Sequence, residues 1–514
     1  MRTYPSWLET VVPVSYPPLD TDIRADVLVV GAGITGLTAA YLLARAKYSV
    51  VVVDRQRLGR GETGHTTAHV TYVTDTRLLE LEKRFGRDHA QATWDAGAHA
   101  MAQIRKISQE EEIACELTSL PGYLVAAQGT DAAKQGAELE REAKLAEELG
   151  FDALFVHEAP VLPRPAMRVA NQFKFQPVRY LAGLAQRIVD LGGQIFEETE
   201  LSEFEEKPLR AKANGYTIEC DRVILATHVP LQGLRNTLNA TLLQSKLSAY
   251  SSYVLGAKIR KGLLPEILWW DTADPYLYLR VDRRAEYDYV ILGGADHKTG
   301  QEVDTEMPYR RVRDALEFLV PEAIPDHRWS ARVIESVDGL PYIGAVGENQ
   351  FLATGYGGNG MTFGTLAGMM ACDFVRGVKN PWQDLFSPER KKLSATWDYV
   401  NENKDYAYYL FKDRLMAGEK ISVEELKPGE GKVLRLKGGK VAAYRNIKGE
   451  LHLCSAVCPH MGCIVHWNDA QRTWDCPCHG SRFHADGKLL AGPAESGLAP
   501  HEVEAVEVTE EVSR

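Results

Sequence analysis

Hydrophobic and polar positions change rhythm along this chain, and each change marks an element. A short apolar run, Ala25-Asp26-Val27-Leu28-Val29-Val30, has the continuous pattern of a strand buried on both faces. A glycine turn and a helical stretch from Ile34 to about Ala46 follow, then a second apolar run, Ser49-Val50-Val51-Val52-Val53, which stops at Asp54. This order predicts a βαβ opening, preceded by an irregular, Pro-containing lead-in over residues 1–24. The period turns helical from Leu78 to about Ile113. The charged stretch from Asp131 to Leu149 reads as a solvated helix, and Val178 to Leu191 as a further helix closed by Gly192-Gly193. Between about Ser248 and Gly294, Tyr- and Val-rich segments with turns at Gly262 and Asp274-Pro275 predict a mostly antiparallel sheet. A buried strand from Gln350 to Thr354 then leads through a Gly-rich turn into a helix to about Arg376. Ser387 to Met416 reads as a polar helical connector, and beyond Gly418 short strands with Gly and Pro turns dominate.

At 514 residues the chain is too long for one core, which implies two or three domains. A formal net charge of −11 argues against a nucleic-acid partner, because phosphate binding needs clustered Lys and Arg. No apolar run approaches the roughly 18 residues that a membrane span requires. Residues Met1 to Trp7 lack both a secretory h-region and a twin-Arg pair, so a cytoplasmic location is expected. The eight cysteines are unevenly placed. Cys115, Cys220 and Cys372 are scattered, whereas five crowd into Cys454–Cys478 beside His460, His466 and His479, as metal-binding residues do.

Two constellations carry chemistry. The first is Gly31-Ala32-Gly33-Ile34-Thr35-Gly36, placed between a strand and a helix, with Asp54 18 residues beyond Gly36. Gly31 permits the tight turn, Gly33 lets a pyrophosphate approach the backbone, and Gly36 allows helix-on-strand packing. The helix N-terminus offers N–H groups to phosphates, and Asp54 can accept from ribose hydroxyls. Gly355, Gly357 and Gly360 repeat the glycine spacing, but Pro381-Trp382 end the pattern soon afterwards, so no second βαβ unit and no separate nicotinamide site is expected. The second constellation is Cys458-Pro459-His460, fifteen intervening residues, then Cys476-Pro477-Cys478-His479. Two loops, each offering one Cys and one His, suit a Rieske centre, and a Cys₂His₂ zinc site is the less specific alternative.

Further motifs carry family resemblances. Gly61-Glu62-Thr63-Gly64-His65-Thr66-Thr67-Ala68, Val223 to His228, Asp338 to Gly344 and Thr354 to Thr362 resemble the D-amino-acid-oxidase/glycine-oxidase-like (DAO) superfamily, over roughly Asp22 to Gly377. That resemblance implies FAD, held by Gly31, Gly33, Gly36, Asp54, His65, Thr66, Thr67, Ala226, Thr227, Gly344, Gly357, Gly358, Asn359, Gly360, Met361 and Thr362. The late Gly-rich turn would bring a helix N-terminus to the flavin ring. In some relatives a histidine in the setting of His65 carries the flavin covalently; the simpler role, a histidine that lines the pocket, is preferred here. Residues of the substrate pocket are not legible, although Arg280, on a predicted strand, is a weak catalytic candidate beside His65, as a bidentate partner for a carboxylate.

Cys458 to Cys463 and Cys476 to Ser481 match the Rieske boxes of cytochrome bc complexes, and Gly492-Pro493 fits their proline loop. The resemblance implies that Cys458 and Cys476 ligate one iron and His460 and His479 the other, with Cys463 and Cys478 forming a disulfide. Cys454, His452, His466 and His484 fall outside the motif. The whole chain resembles a bacterial family of fused FAD/Rieske proteins.

The expected architecture is therefore α/β plus all-β: a lead-in (1–24), a Rossmann-type FAD-binding domain with an inserted antiparallel-sheet substrate region (25–378), a helical connector (379–418) and a small all-β Rieske domain (419–514). The expected function is FAD-dependent oxidation of a small organic substrate, an amine or amino acid, with single electrons passing through the [2Fe–2S] cluster to an external acceptor protein. The rival readings are a reductase fed through the cluster, an O₂-using oxidase, and a redox sensor. Ser481 matches the serine that bonds a bridging sulfide in high-potential Rieske proteins, whereas Phe483 stands where they usually have tyrosine, so one hydrogen bond is missing. Potentiometric titration is expected to place the cluster below the respiratory proteins; a value at or above the top of the roughly −150 to +300 mV Rieske range would refute this.

Overall fold

The computed structural model describes the whole chain except residues 12–13, 207, 231–242, 391–408, 410–417, 420–421, 437–438 and 502–514. It divides into two compact units, one of residues 1–297 and 307–399, the other of residues 298–306 and 400–514. Most of the stretch expected to be a connector lies outside the described residues.

In the first unit the apolar runs become the centre of a mostly parallel sheet. The strand Ile23–Val30 lies between Val50–Val53 and Tyr216–Leu225, parallel to both, with Val27 opposite Val50 and Val30 opposite Leu225. Gln350–Thr354 adds in parallel beside Tyr216–Leu225, and Gln194–Phe196 beside Val50–Val53. Helices cover the sheet, so all four valines of Val50–Val53 are buried. Against it pack the helices Ile34–Arg45 and Gly360–Arg376, which cross where the second is stripped to glycine. A Cβ on Gly364 would meet Ile34 Cγ2 at 2.7 Å, and one on Gly368 would meet Thr38 Cβ at 2.7 Å. Small residues there let the two backbones approach closely, and a 2.9 Å hydrogen bond between Thr35 Oγ1 and Tyr356 Oη joins their N-terminal ends.

The second sheet of this unit has nine strands and is antiparallel through most of its extent. Leu268–Asp271, Tyr278–Arg283 and Asp288–Lys298 pair in succession, and Leu247–Ile259 pairs with Ile324–Ser336. The junction of Leu268–Asp271 with Thr118–Val125 is parallel.

Three local expectations change. The helix from Leu78 breaks into Leu78–Phe85 and Arg87–Glu110, because Gly86 adopts φ +87°. The supposedly solvated helix, Ala132–Glu148, buries Leu139, Ala143 and Ala146, and its Glu142, fully buried, accepts hydrogen bonds from Arg77 and from the Leu78 backbone N–H. The charge run hid an apolar stripe at helical spacing. The lead-in contains a 3₁₀ turn, Ser6–Glu9, that buries Trp7.

The second unit is all β among its described strands. Gly431–Leu436, Gly439–Arg445 and Leu451–Ser455 form one antiparallel sheet; His466–Asn468, Thr473–Asp475, Arg482–His484 and Leu489–Ala491 form another. Its core gathers Trp474, Phe483, Val465 and Leu498 around the cysteine-bearing loops. Among the described residues no helix is long and apolar enough to cross a membrane.

Candidate functional site

The glycine motif sits where the sheet and its first helix press together. Gly31 has φ +107°, and a Cβ there would lie 2.4 Å from the Ala226 carbonyl oxygen. A Cβ on Gly36 would lie only 1.8 Å from the Gly31 oxygen. These two contacts leave room for glycine alone. Gly33 stands at the helix N-cap with no side chain to offer, and Thr63 Oγ1 accepts from the Ile34 N–H at 3.2 Å. Asp54 accepts from Ala32 N–H at 2.7 Å and from Gln56 N–H at 2.8 Å. Burial raises its pKa against those two bonds, and the remaining lone pairs can receive hydroxyls.

The Gly61–Ala68 loop is held by residues that the motifs did not reveal. Trp7 Nε1 donates to the Gly64 carbonyl at 2.7 Å, and Trp329 Nε1 donates to the His65 carbonyl at 2.9 Å; the two indoles meet edge to face. The His65 ring turns back on its own loop, with Nδ1 3.0 Å from the Gly61 oxygen. Thr66 Oγ1 accepts from Ala68 N–H, Thr67 Oγ1 bonds His69 Nδ1, and Thr227 Oγ1 donates to the Val229 carbonyl. Burial drives His69 down to about 3, so that ring is neutral.

The late glycine turn starts the helix Gly360–Arg376 without a side-chain cap. Asn359 instead donates to the Val73 carbonyl at 2.9 Å and accepts from Asp75 N–H, while Thr362 donates to the Thr71 carbonyl. A Cβ on Gly360 would meet nothing within 4 Å. The exposed helix end, with open space before it, fits the anionic edge of a flavin, as the Gly31–Gly36 turn fits a pyrophosphate. Met361 is buried at the same helix start. Gly344 stands apart, packed toward Pro388 Cδ.

Beside that turn is a polar group that sequence reasoning missed. Tyr276 Oη donates to Asp75 Oδ1 at 3.1 Å, and Gly358 N–H donates to Asp75 Oδ2. Tyr278 bonds Ser252 at 2.6 Å, and Ser252 also bonds Asp296. Burial, reinforced by Asp75 and Asp274, pushes Asp296 up to about 7. No spacing rule could find these residues, which come from four separate stretches of the chain.

Arg280 is not an available carboxylate binder. It is 4% exposed and forks onto Asp282, at 2.8 and 3.0 Å, while Nη1 donates to the Thr67 carbonyl at 2.8 Å. Burial opposes the charge on Asp282, yet Arg280 and Lys174 together hold that carboxyl down to about 2. All of its strong donors serve the fold.

The second unit presents Cys458 and Cys476 on two similar turns. Gly462 N–H bonds the Cys458 carbonyl and Gly480 N–H the Cys476 carbonyl, both at 3.0 Å. Both cysteines are buried, and the His460 and His479 rings lie 4.9 Å apart, edge to face. Burial lowers His460 to about 4 and, with His460 beside it, His479 to about 3, which leaves both imidazoles neutral as ligands must be. Cys463 and Cys478 are joined as a disulfide. The sulfurs of Cys463, Cys476 and Cys478 lie within 4.8 Å of one another, but the bond leaves only Cys476 of the three as a thiolate donor. Two thiols and two neutral imidazoles on facing turns fit a [2Fe–2S] cluster with split ligation. Cys454 donates to the Asp486 carbonyl and His466 bonds the Gly300 oxygen.

Fold and sites together define a flavoprotein oxidoreductase carrying a Rieske iron–sulfur domain. Residues 26–374 match the FAD dependent oxidoreductase family (DAO) and residues 419–502 the Rieske [2Fe-2S] domain, and the chain belongs to that oxidoreductase family. It is 33% identical, over 93% of its length and 94% of the relative's, to a putative Rieske 2Fe-2S iron-sulfur protein, YhfW, of Bacillus subtilis. It is 24% identical to the gamma-glutamylputrescine oxidoreductase of Escherichia coli, covering 78% of this chain and 96% of that one. Among solved structures, glycine oxidase from Geobacillus kaustophilus superimposes with a TM-score of 0.60 at 17% identity, over 72% of this chain and 99% of that one.

Two outcomes follow. Gly36→Ala is expected to abolish FAD retention while cluster absorbance persists, as read from the flavin-to-iron ratio after gel filtration. Arg280→Leu, which leaves Asp282 with Lys174 alone, is expected to cost about 1–3 kcal/mol of stability in chemical denaturation; a change confined to substrate KM would instead restore its role as a carboxylate binder.

Proposed function

We propose that this protein is an amine dehydrogenase, whose FAD domain oxidises a small cationic amine by two electrons and whose Rieske domain passes them singly to an external one-electron acceptor protein. Bound FAD would supply two-electron acceptance and the cluster one-electron transfer. The observation that carries the substrate class is the group Asp75, Asp296, Tyr276 and Tyr278 beside the late glycine turn, together with the commitment of Arg280 to Asp282. Carboxylates and tyrosine rings attract an ammonium group, by charge and by the ring faces. A free carboxylate has no comparable partner in this group. The relationship to gamma-glutamylputrescine oxidoreductase, whose name denotes an amine substrate, supports the same reading.

In this reading the chain's own residues bind and orient. Asp75 is fixed by Gly358 N–H and Tyr276 Oη, and burial pushes its carboxyl up. Asp296 is pushed up to about 7. An aliphatic amine stays protonated to about pH 10, as lysine does, so the attraction grows as Asp296 ionises near 7.

Anaerobic stopped-flow absorbance of the holo-protein with a panel of amines and amino acids tests the function. Flavin bleaching followed by cluster reduction with cationic amines is the expected result. Hydrogen peroxide release in air would favour an oxidase, cluster reduction that precedes flavin reduction a reductase, and no reduction by any donor a sensor. The apparent KM for the amine is expected to fall by up to about tenfold between pH 6 and 8, the limit set by one carboxyl that ionises near 7. Asp296→Asn should flatten that profile; a profile unchanged by the substitution would remove Asp296 from substrate binding.

A further inference from the structure

We propose that Gln301 is a positioning residue for the second cysteine–histidine loop of the Rieske domain, and that it raises the cluster's reduction potential through a single peptide group. Gln301 belongs to the Lys298–Glu306 segment, which is part of the second unit although it lies far upstream of the rest. Its Nε2 donates to the Pro477 carbonyl at 3.0 Å, across 176 positions of sequence. The peptide bearing that carbonyl also bears the Cys478 N–H, which, with the His479 N–H, faces the Cys476 sulfur and favours its thiolate. A hydrogen bond accepted at the oxygen of an amide polarises it and strengthens the donation from its nitrogen. Donation to a ligand sulfur stabilises the more negative, reduced cluster and raises its potential.

The segment is built to hold Gln301 there. Gly300, at φ +80°, lies so close to the Cys476–Pro477 peptide that a Cβ would stand 2.8 Å from both Cys476 C and Pro477 N. The Gly300 oxygen is 2.9 Å from His466 Nδ1, and Thr305 Oγ1 accepts from Ala470 N–H at 3.2 Å. Three anchors on either side of the glutamine place its amide, so the bond does not depend on a free side chain finding its target. Glutamine does not titrate, and the effect holds across pH.

The test uses the full-length holo-protein with Gln301→Met, a neutral replacement of similar length that cannot donate, and Gln301→Leu. Iron content and visible circular dichroism report the cluster, and potentiometric titration reports both cofactors. The expected result is intact cluster content and a cluster equilibrium shifted about threefold toward the oxidised form, or about 28 mV for a one-electron couple, with the flavin potential unchanged. A cluster-loaded variant whose equilibrium stays within about 1.3-fold of the parent overturns the proposal. Cluster loss in Gln301→Leu beside a parental potential in Gln301→Met also overturns it, since that pattern describes a merely structural residue.

Discussion

The flavin-binding half of this protein depends on how closely two helices can cross. Ile34–Arg45 and Gly360–Arg376 begin hundreds of residues apart, yet both must aim their first turns at one ligand. Gly364 and Gly368 allow the approach, and the bond from Thr35 to Tyr356 ties the leading ends. With that crossing go N-cap residues whose own side chains cap neither helix, the close seat of Gly36 on Gly31, and the position of the late glycine turn. Asn359 illustrates the constraint. A residue well suited to cap its own helix instead bonds Val73 and Asp75, leaving the backbone N–H groups for something else.

Buried charge in the same unit shows how a plausible functional residue becomes a structural one. Arg280 and Lys174 converge on Asp282, and a guanidinium so engaged has little left to offer a substrate. Removing such a pair from water is costly unless its geometry is good and its other donors are satisfied, as the carbonyls of Thr67 and Phe175 satisfy Arg280. At Asp296 the balance is different. Its carboxyl is held near neutrality by burial, reinforced by Asp75 and Asp274.

The sequence was readable where chemistry is local. The glycine turn, Asp54, the late helix and the two cysteine–histidine boxes each lie within a few residues, and each was found from spacing or resemblance. What escaped was assembled from distance. Trp7 looked like part of a featureless lead-in, because nothing near it announces that its indole reaches Gly64. Asp75, Tyr276 and Asp296 belong to no motif of the sequence. Glu142 lay in a charge run whose one buried face was masked by its neighbours, and Arg280, offered as a weak candidate, has a partner two residues along on the same face of its strand.

The make-up of the second unit bears on how such a protein can arise and be rearranged. Its cysteine–histidine loops lie near the chain's end, but residues 298–306, which close on one of them, are written before the final helix of the flavin half. A cut at any single point upstream of residue 400 that keeps all of this unit must carry foreign sequence with it, and a cut closer to the boxes leaves part of its shell behind. The iron–sulfur module is thus not a detachable cassette. Moving the two loops into another protein would transfer the cluster ligands without the Gln301 amide and the Gly300 backbone that pack on the second loop.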